Sequence, residues 1–520
     1  MPSARSPGGR QNALALHFAY AKMRVMNRSN LLIACLAASG AAVAANRPAC
    51  EGLGAAQLFK ATTITSARPV AADSASGVVA HCEIIGYVTP VAGSRIGVVY
   101  RLPDAWNEKL IGLGGGGWAG NLRLDSAIPP LARGYATAQT DAGHAGGTWD
   151  TDWSAKPQAV TDFAYRAVHE MTVLGKALVA RYYGRVESHA FFQGCSTGGR
   201  QGLMEVQRFP ADYDGVIAGA PVHTLLTQTS MLVRNLSLAA PGAGLGPEQI
   251  ATLHAAAIAA CDALDGLADS IITDPRTCPF DPGALACDSS APSSGCLSPA
   301  QVTAVRTLYE GVRTADGRVA AYPLSRGSEM SWPQFIKVVP EADPGSGASG
   351  ASVSGLRALL FGNRNFDLFS FDPEKHLALV RTTPFAKAYE AATADVAAFV
   401  DRGGKLILWH GFDDSGPSPI ETIEYYESVQ QSLGAKVSTL SSPVRLFLAP
   451  GVEHCRGGPG ANLFDPLRAL EDWIERKSAP ESMNATRTDG RISRPLCRYP
   501  GLPHYKGTGD PNDAASFNCS

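Results

Sequence analysis

The sequence predicts an α/β chain, a largely parallel sheet covered by helices and interrupted by one long insertion. Five short apolar runs read as buried strands: KLIGLG (109–114), GYATAQT (134–140), HAFFQG (189–194), KLILWHG (405–411) and VRLFLAP (444–450). Helical patterns alternate with them. TDFAYRAVHEMTVLGKALVARYYG (161–184) precedes the third run, a helix over 197–208 follows it directly, and DPLRALEDWIERKS (465–478) lies near the C-terminus. From 223 to 385 the alternation stops. That span is rich in Ala, Gly, Ser and Pro, holds four cysteines, and contains the loop-like EADPGSGASGASVSG (341–355). The organisation expected is a leader over 1–45, a core in two parts over 46–222 and 386–520, and a lid-like insertion over 223–385.

The chain has 520 residues, a formal net charge of −2 and 45% hydrophobic residues. That length exceeds what one core usually fills, which agrees with a core plus an insertion. The near-neutral balance gives no sign of a nucleic-acid partner. MNRSNLLIACLAASGAAVAANRP, from Met26, has a basic start, an apolar stretch and Ala-Val-Ala before Ala45. This is the layout of a secretory signal cleaved near Ala44 or Ala45, with Met26 as the preferred start. The apolar run is shorter than the ~18–20 residues of a membrane span, so no stable membrane insertion is expected. Leu32-Ile33-Ala34-Cys35 only loosely resembles a lipoprotein cleavage box. A secreted or periplasmic location follows.

Cleavage removes Cys35 and leaves ten of the eleven cysteines, an even number suited to five disulfides in an oxidising compartment. Short separations favour Cys50–Cys82, Cys261–Cys278, Cys287–Cys296 and Cys497–Cys519, leaving Cys195 and Cys455 as the long-range pair.

The third apolar run leads into Gly194-Cys195-Ser196-Thr197-Gly198 and then a helix. A Gly-x-Ser-x-Gly turn between strand and helix exposes a serine hydroxyl, as in the α/β-hydrolase fold, where an acid and then a histidine follow on later strand ends. The loop after KLILW, HGFDDSGPSP, offers Asp413 and Asp414. The loop after VRLFLAP, GVEHCRGGPG, offers His454. Ser196 would be the nucleophile, His454 its base, and Asp414, with Asp413 as the alternative, the acid that orients the base. Cys195 precedes the serine and Cys455 follows the histidine, so a bond between them would tie nucleophile turn to base loop. An oxyanion hole needs backbone N–H donors; Thr197, after the nucleophile, supplies one. The four glycines 114–117 in IGLGGGGWAG supply the other, with Gly116 preferred over Gly115 and Gly117.

CDALDGLADSIITDPRTC (261–278) places Asp262, Asp265 and Asp269 around Gly266. Closely spaced hard oxygen ligands suit Ca²⁺, although the spacing is not that of an EF-hand. From composition alone, a solvated acidic loop is an equal alternative.

Cys195-Ser196, Asp414 and His454-Cys455 resemble the CS-D-HC motif of the tannase and feruloyl esterase family, which includes mono(2-hydroxyethyl) terephthalate hydrolases. GGGGWAG, TDAGHAGG, DFAYRAVHE, GCSTGGRQGL, DGVIAGAP, HGFDD and GVEHCRGGPG extend the resemblance over the whole mature chain. It implies an α/β-hydrolase core with a large inserted lid domain, and a disulfide joining Cys195 and Cys455. The family's acid aligns with Asp414, because the motif runs His-Gly, two residues, Asp. The resemblance further implies a structural lid Ca²⁺ held by Asp262, Asp265 and Asp269 with the Leu267 and Ile271 carbonyls. It also implies hydrolysis of small aromatic esters through an acyl-enzyme. Trp332, Phe335, Phe361, Phe366 and Phe369 could line the aromatic-acid pocket, and Arg364 could meet a substrate carboxylate. Ser415-Gly416-Pro417 departs from the bulkier apolar wall of terephthalate half-ester hydrolases, so a feruloyl or related phenolic ester is favoured. A tannase or terephthalate half-ester hydrolase, and a catalytically silent secreted binding protein, are the alternatives.

Overall fold

A computed structural model describes residues 48–520 apart from 55–59, 123, 289–294, 337–353 and 435–440. The leader, with Met26 and the expected cleavage site, lies outside the described residues, as does 341–353 of the Gly/Ser-rich loop. The described residues form one compact unit.

Its centre is a nine-stranded mixed sheet. Strands β1 (Thr62–Val70), β2 (His81–Val88) and β3 (Ile96–Pro103) run antiparallel at one side. β4 (Lys109–Leu113), β5 (Ala136–Thr140), β6 (His189–Cys195) and β7 (Gly215–Gly219) follow in the chain. After a short hairpin, β8 (Val312–Arg313) and β9 (Val319–Ala321), the sheet is completed by β10 (Lys405–Gly411) and β11 (Val444–Ala449). The spatial order is β1-β2-β3-β5-β4-β6-β7-β10-β11, with parallel pairing from β5 onward. Parallel strands covered on both faces carry continuous apolar runs. β7, β10 and β11 fit that rule, with every residue but Lys405 buried. All five strands read from the sequence are present. β7 escapes the pattern because its five residues, GVIAG, include two glycines.

The helix read over 161–184 is α-helical over Ala167–Tyr183 and preceded by a π-turn, Asp162–Arg166. The helix after the serine spans Thr197–Arg208, and the C-terminal one spans Pro466–Glu475 with Asp465 as its N-cap. Among the described residues, the stretch between β7 and β10 adds no strand to the central sheet. Its first part has an apolar cluster of its own, including Leu253, Val305, Leu308 and Trp332. Its later part, including Leu359, Phe361, Phe371 and Phe385, packs into the main core. No helix among the described residues is long and apolar enough to cross a membrane.

Candidate active site

Ser196 sits between β6 and the Thr197–Arg208 helix at φ 66°, ψ −125°. A non-glycine residue there carries roughly 1–3 kcal/mol of backbone strain, held only if the surroundings fix it. They do: the Ser196 N–H donates to Gly219 O at 2.9 Å, and its carbonyl accepts from Val222 N at 3.2 Å and Arg200 N at 3.1 Å. The flanking glycines have a steric cause. A Cβ on Gly194 would lie 2.4 Å from the Gly198 backbone, and one on Gly198 would lie 2.8 Å from Gly115 O.

The glycine loop is latched to the same helix. Thr197 Oγ1 donates to Gly117 O at 2.9 Å, and Gly115 N donates to Gln201 Oε1 at 2.9 Å. Gly114 N and Trp118 N are also committed, to Gln193 O and Thr148 O. Gly117 lines a cavity with Ser196, Thr197, Trp118, Phe335 and His454. Gly116, the glycine preferred from the sequence, is buried and not on that lining.

The Cys195–Cys455 disulfide is formed, with its Cα atoms 6.0 Å apart, so the residues after and before it in the chain, Ser196 and His454, meet at one cavity. The four short-range disulfides are formed as the separations suggest. His454 Nδ1 lies 2.6 Å from Asp414 Oδ2. The same oxygen meets His410 Nε2 at 3.1 Å, and Gly416 N donates to Oδ1 at 2.8 Å. His410 is itself fixed by Thr422 Oγ1 at 2.8 Å. Burial pushes the Asp414 carboxyl up, but His454 and His410 together hold it down at about 2. Asp413 behaves oppositely. Burial, with Glu329 and Glu453 adding to it, pushes its carboxyl well above the usual range. Asp414 is therefore the ionised partner of His454, and Asp413 is a buried neighbour.

The inserted segment closes on this loop. Ser331 Oγ donates to Asp413 O at 2.7 Å, and Ser415 Oγ donates to Ser331 O at 2.8 Å. Buried Arg234 donates to Ser415 O and Gly416 O, both at 3.1 Å, and to Tyr322 O at 2.8 Å. Phe335 stands edge-on to the His454 ring, centroids 4.9 Å apart, and rests on Gly416, where a Cβ would lie 3.2 Å from the phenyl ring. Of the five inserted aromatics named from the sequence, Phe335 lines the cavity. Trp332 is buried against Tyr309, Phe361 stacks on Phe366, and Phe369 is exposed. Arg364 is not on the cavity lining; it donates to Ser154 Oγ at 3.2 Å. His410, Gln201 and Arg234 had no sequence signal that set them apart; each acts through contacts made only in the fold.

In the acidic loop, Asp262 accepts from the backbone N–H groups of Asp269, Ser270 and Ile271. Asp265 accepts from Leu267 N and Thr273 Oγ1, and Asp269 pairs with Arg494. Asp265, Leu267, Asp269 and Ile271 line one small cavity with Arg494. The donors suit a hard cation, yet among the described residues no group of three acids, histidines or cysteines is disposed to hold one. Arg494 supplies a positive charge at Asp269.

The model of the family described as "Tannase and feruloyl esterase" matches residues 82–520. The chain belongs to the tannase and feruloyl esterase family. Within this family it is 34% identical to a mono(2-hydroxyethyl) terephthalate hydrolase of Piscinibacter sakaiensis, over 92% of each chain. It is also 34% identical to a probable feruloyl esterase of Arthroderma benhamiae, over 82% of each. The crystal structure of feruloyl esterase B from Aspergillus oryzae superimposes with a TM-score of 0.81 at 27% identity, covering 91% of this chain and 99% of that one. This member of the tannase and feruloyl esterase family is thus a carboxylic ester hydrolase built on an α/β-hydrolase core.

Proposed function

We propose that the protein is a secreted serine esterase that hydrolyses small aromatic esters of the feruloyl or related phenolic type. The observation that carries this reading is the shared cavity of Ser196 and His454, with Asp414 hydrogen-bonded to His454. His454 takes the Ser196 proton as the serine oxygen bonds to the ester carbonyl carbon. The oxyanion is met by the N–H groups of Thr197 and Gly117. Gly117 is favoured over Gly116 because it lines the cavity beside Ser196. Collapse breaks the ester C–O bond, and His454 returns the proton to the departing alcohol. Water, deprotonated by His454, then cleaves the acyl-enzyme to the free acid. Asp414 stays ionised and steadies the imidazolium formed in each half-reaction.

A neutral phenolic acyl group is favoured over a carboxylate-bearing one, because among the described residues no Lys or Arg is on the cavity lining. Five disulfides support an oxidising, extracellular or periplasmic destination. Calcium at the 262–271 loop would have a structural role only. Asp262, Asp265, Asp269 and the Leu267 and Ile271 carbonyls would hold it once Asp269 exchanges Arg494 for the ion.

The test is a hydrolysis panel of methyl ferulate, methyl gallate, mono(2-hydroxyethyl) terephthalate and a p-nitrophenyl ester, with wild type and Ser196→Ala. Turnover of an aromatic ester that the variant lacks is expected. No turnover by folded, disulfide-bonded protein would remove the esterase reading in favour of a binding role.

A further inference from the structure

The helix Leu226–Ala239 begins beside the cavity, and its polar residues divide sharply. Thr224 Oγ1 accepts from Leu226 N and also pairs with Glu421. Thr229 Oγ1 donates to Leu226 O and Ala320 O, and Ser230 Oγ accepts from Tyr322 N. Thr227 and Gln228 lie between these satisfied groups and both line the cavity with Ser196. Only 3% and 7% exposed, they leave Thr227 Oγ1 and Gln228 Oε1 buried with no hydrogen-bond partner among the described residues. Buried polar groups are nearly always paired, so two adjacent exceptions on the wall of one cavity call for a partner that comes and goes. At the helix start the Leu226 N–H is already taken by Thr224 Oγ1, not by Thr227.

We propose that Thr227 and Gln228 are the specificity-determining residues of the acyl pocket, and that they recognise a ring hydroxyl on the aromatic acid. This rests on the esterase reading given above. A threonine hydroxyl and a carboxamide are uncharged, and each can both donate and accept, as a phenolic hydroxyl does. A carboxylate only accepts and carries a charge, which would remain uncompensated by the described lining of the cavity, where no Lys or Arg stands. A plain phenyl ring would leave both side chains unpaired, so the pocket discriminates by what it leaves unsatisfied. Trp118, Trp149 and Phe335 on the same lining supply the aromatic contact that carries no such discrimination.

The test compares kcat/KM for methyl p-coumarate, methyl cinnamate and the monomethyl ester of terephthalic acid, in wild type, Thr227→Val and Gln228→Leu. Each variant is read as the ratio between substrates, which cancels partial losses of folded protein. Wild type should prefer the hydroxylated ester over methyl cinnamate about tenfold, and each substitution should shrink that ratio several-fold. A wild-type ratio near one overturns the proposal whether or not the variants fold. So does a ratio unchanged in both folded variants, or a preference for the terephthalate ester. In those cases Ser196-dependent turnover still stands and the esterase reading survives. Absence of Ser196-dependent turnover of every ester overturns both.

Discussion

His454 Nδ1 and Asp414 Oδ2 stand 2.6 Å apart, and the oxygen they share is also met by His410. Two imidazoles on one buried carboxylate, with Gly416 N on its other oxygen, leave that carboxylate one orientation and one ionisation state. The neighbouring acid, Asp413, has neither contact and is pushed the other way by burial.

The two acids should therefore separate on substitution. Asp414→Asn keeps the shape but removes the charge that steadies imidazolium, and kcat should fall by about ten-thousandfold. Asp413→Asn replaces a carboxyl that burial pushes well above the usual range, and it should retain activity within a few-fold. Steady-state kinetics on one chromogenic ester decides this; equal losses in the two variants would contradict the assignment.

The Cys195–Cys455 bond spans 260 positions in sequence. The chain-entropy model gives such a loop about 5 kcal/mol of stabilisation. Replacing both cysteines by alanine should lower the urea midpoint accordingly. It should also depress kcat, because the strained Ser196 turn loses its tether to the His454 loop. A double variant with wild-type kcat would show that the bond serves stability alone.

Asp414 also predicts an acid limb. Its folded value of about 2 lies below the ordinary 3.8, so ionisation favours the folded state. The stabilisation, about 2 kcal/mol, is complete above roughly pH 4 and is lost as pH falls toward about 2. Urea unfolding across that window should show a slope in wild type that Asp414→Asn lacks. Parallel profiles for the two proteins would remove Asp414 as the source.

Calcium is checked by stability rather than turnover. Protein dialysed against EGTA should gain thermal stability on adding Ca²⁺, by about 2.7 kcal/mol at a hundredfold excess over the dissociation constant. Asp269→Asn should abolish the gain. A melting temperature indifferent to Ca²⁺ would leave Arg494 as the loop's permanent counter-charge.

The parts of the site that local chemistry dictates were legible. The serine turn announces itself through glycines that only backbone crowding requires, and the strand-end placement of Asp414 and His454 follows from chain order. The long-range disulfide was legible by elimination and by its position beside both residues. Contacts that exist only after folding were not legible. Gln201 reaches a loop 86 residues earlier, and Arg234 binds carbonyls 181 and 182 residues later. The place of Phe335 on the cavity, rather than Trp332, Phe361, Phe366 or Phe369, depends on how the inserted segment packs, which carries no period. β1 was missed because one side of the sheet is only partly covered, and its residues are mostly half-buried or exposed.

The stitches from Ser331 and Phe335 to the acid and base loops bear on how this protein could be re-engineered. An insertion joined to its host only through hinge peptides can be exchanged as a cassette. Here one serine holds both flanks of Asp414, and one phenyl ring walls in His454. A chimera that imports another relative's insertion would therefore inherit a new seat for Asp414 and His454 along with a new pocket. Grafts bounded inside the segment, upstream of Ser331, are the ones that could retune selectivity while leaving the reaction's own scaffolding in place.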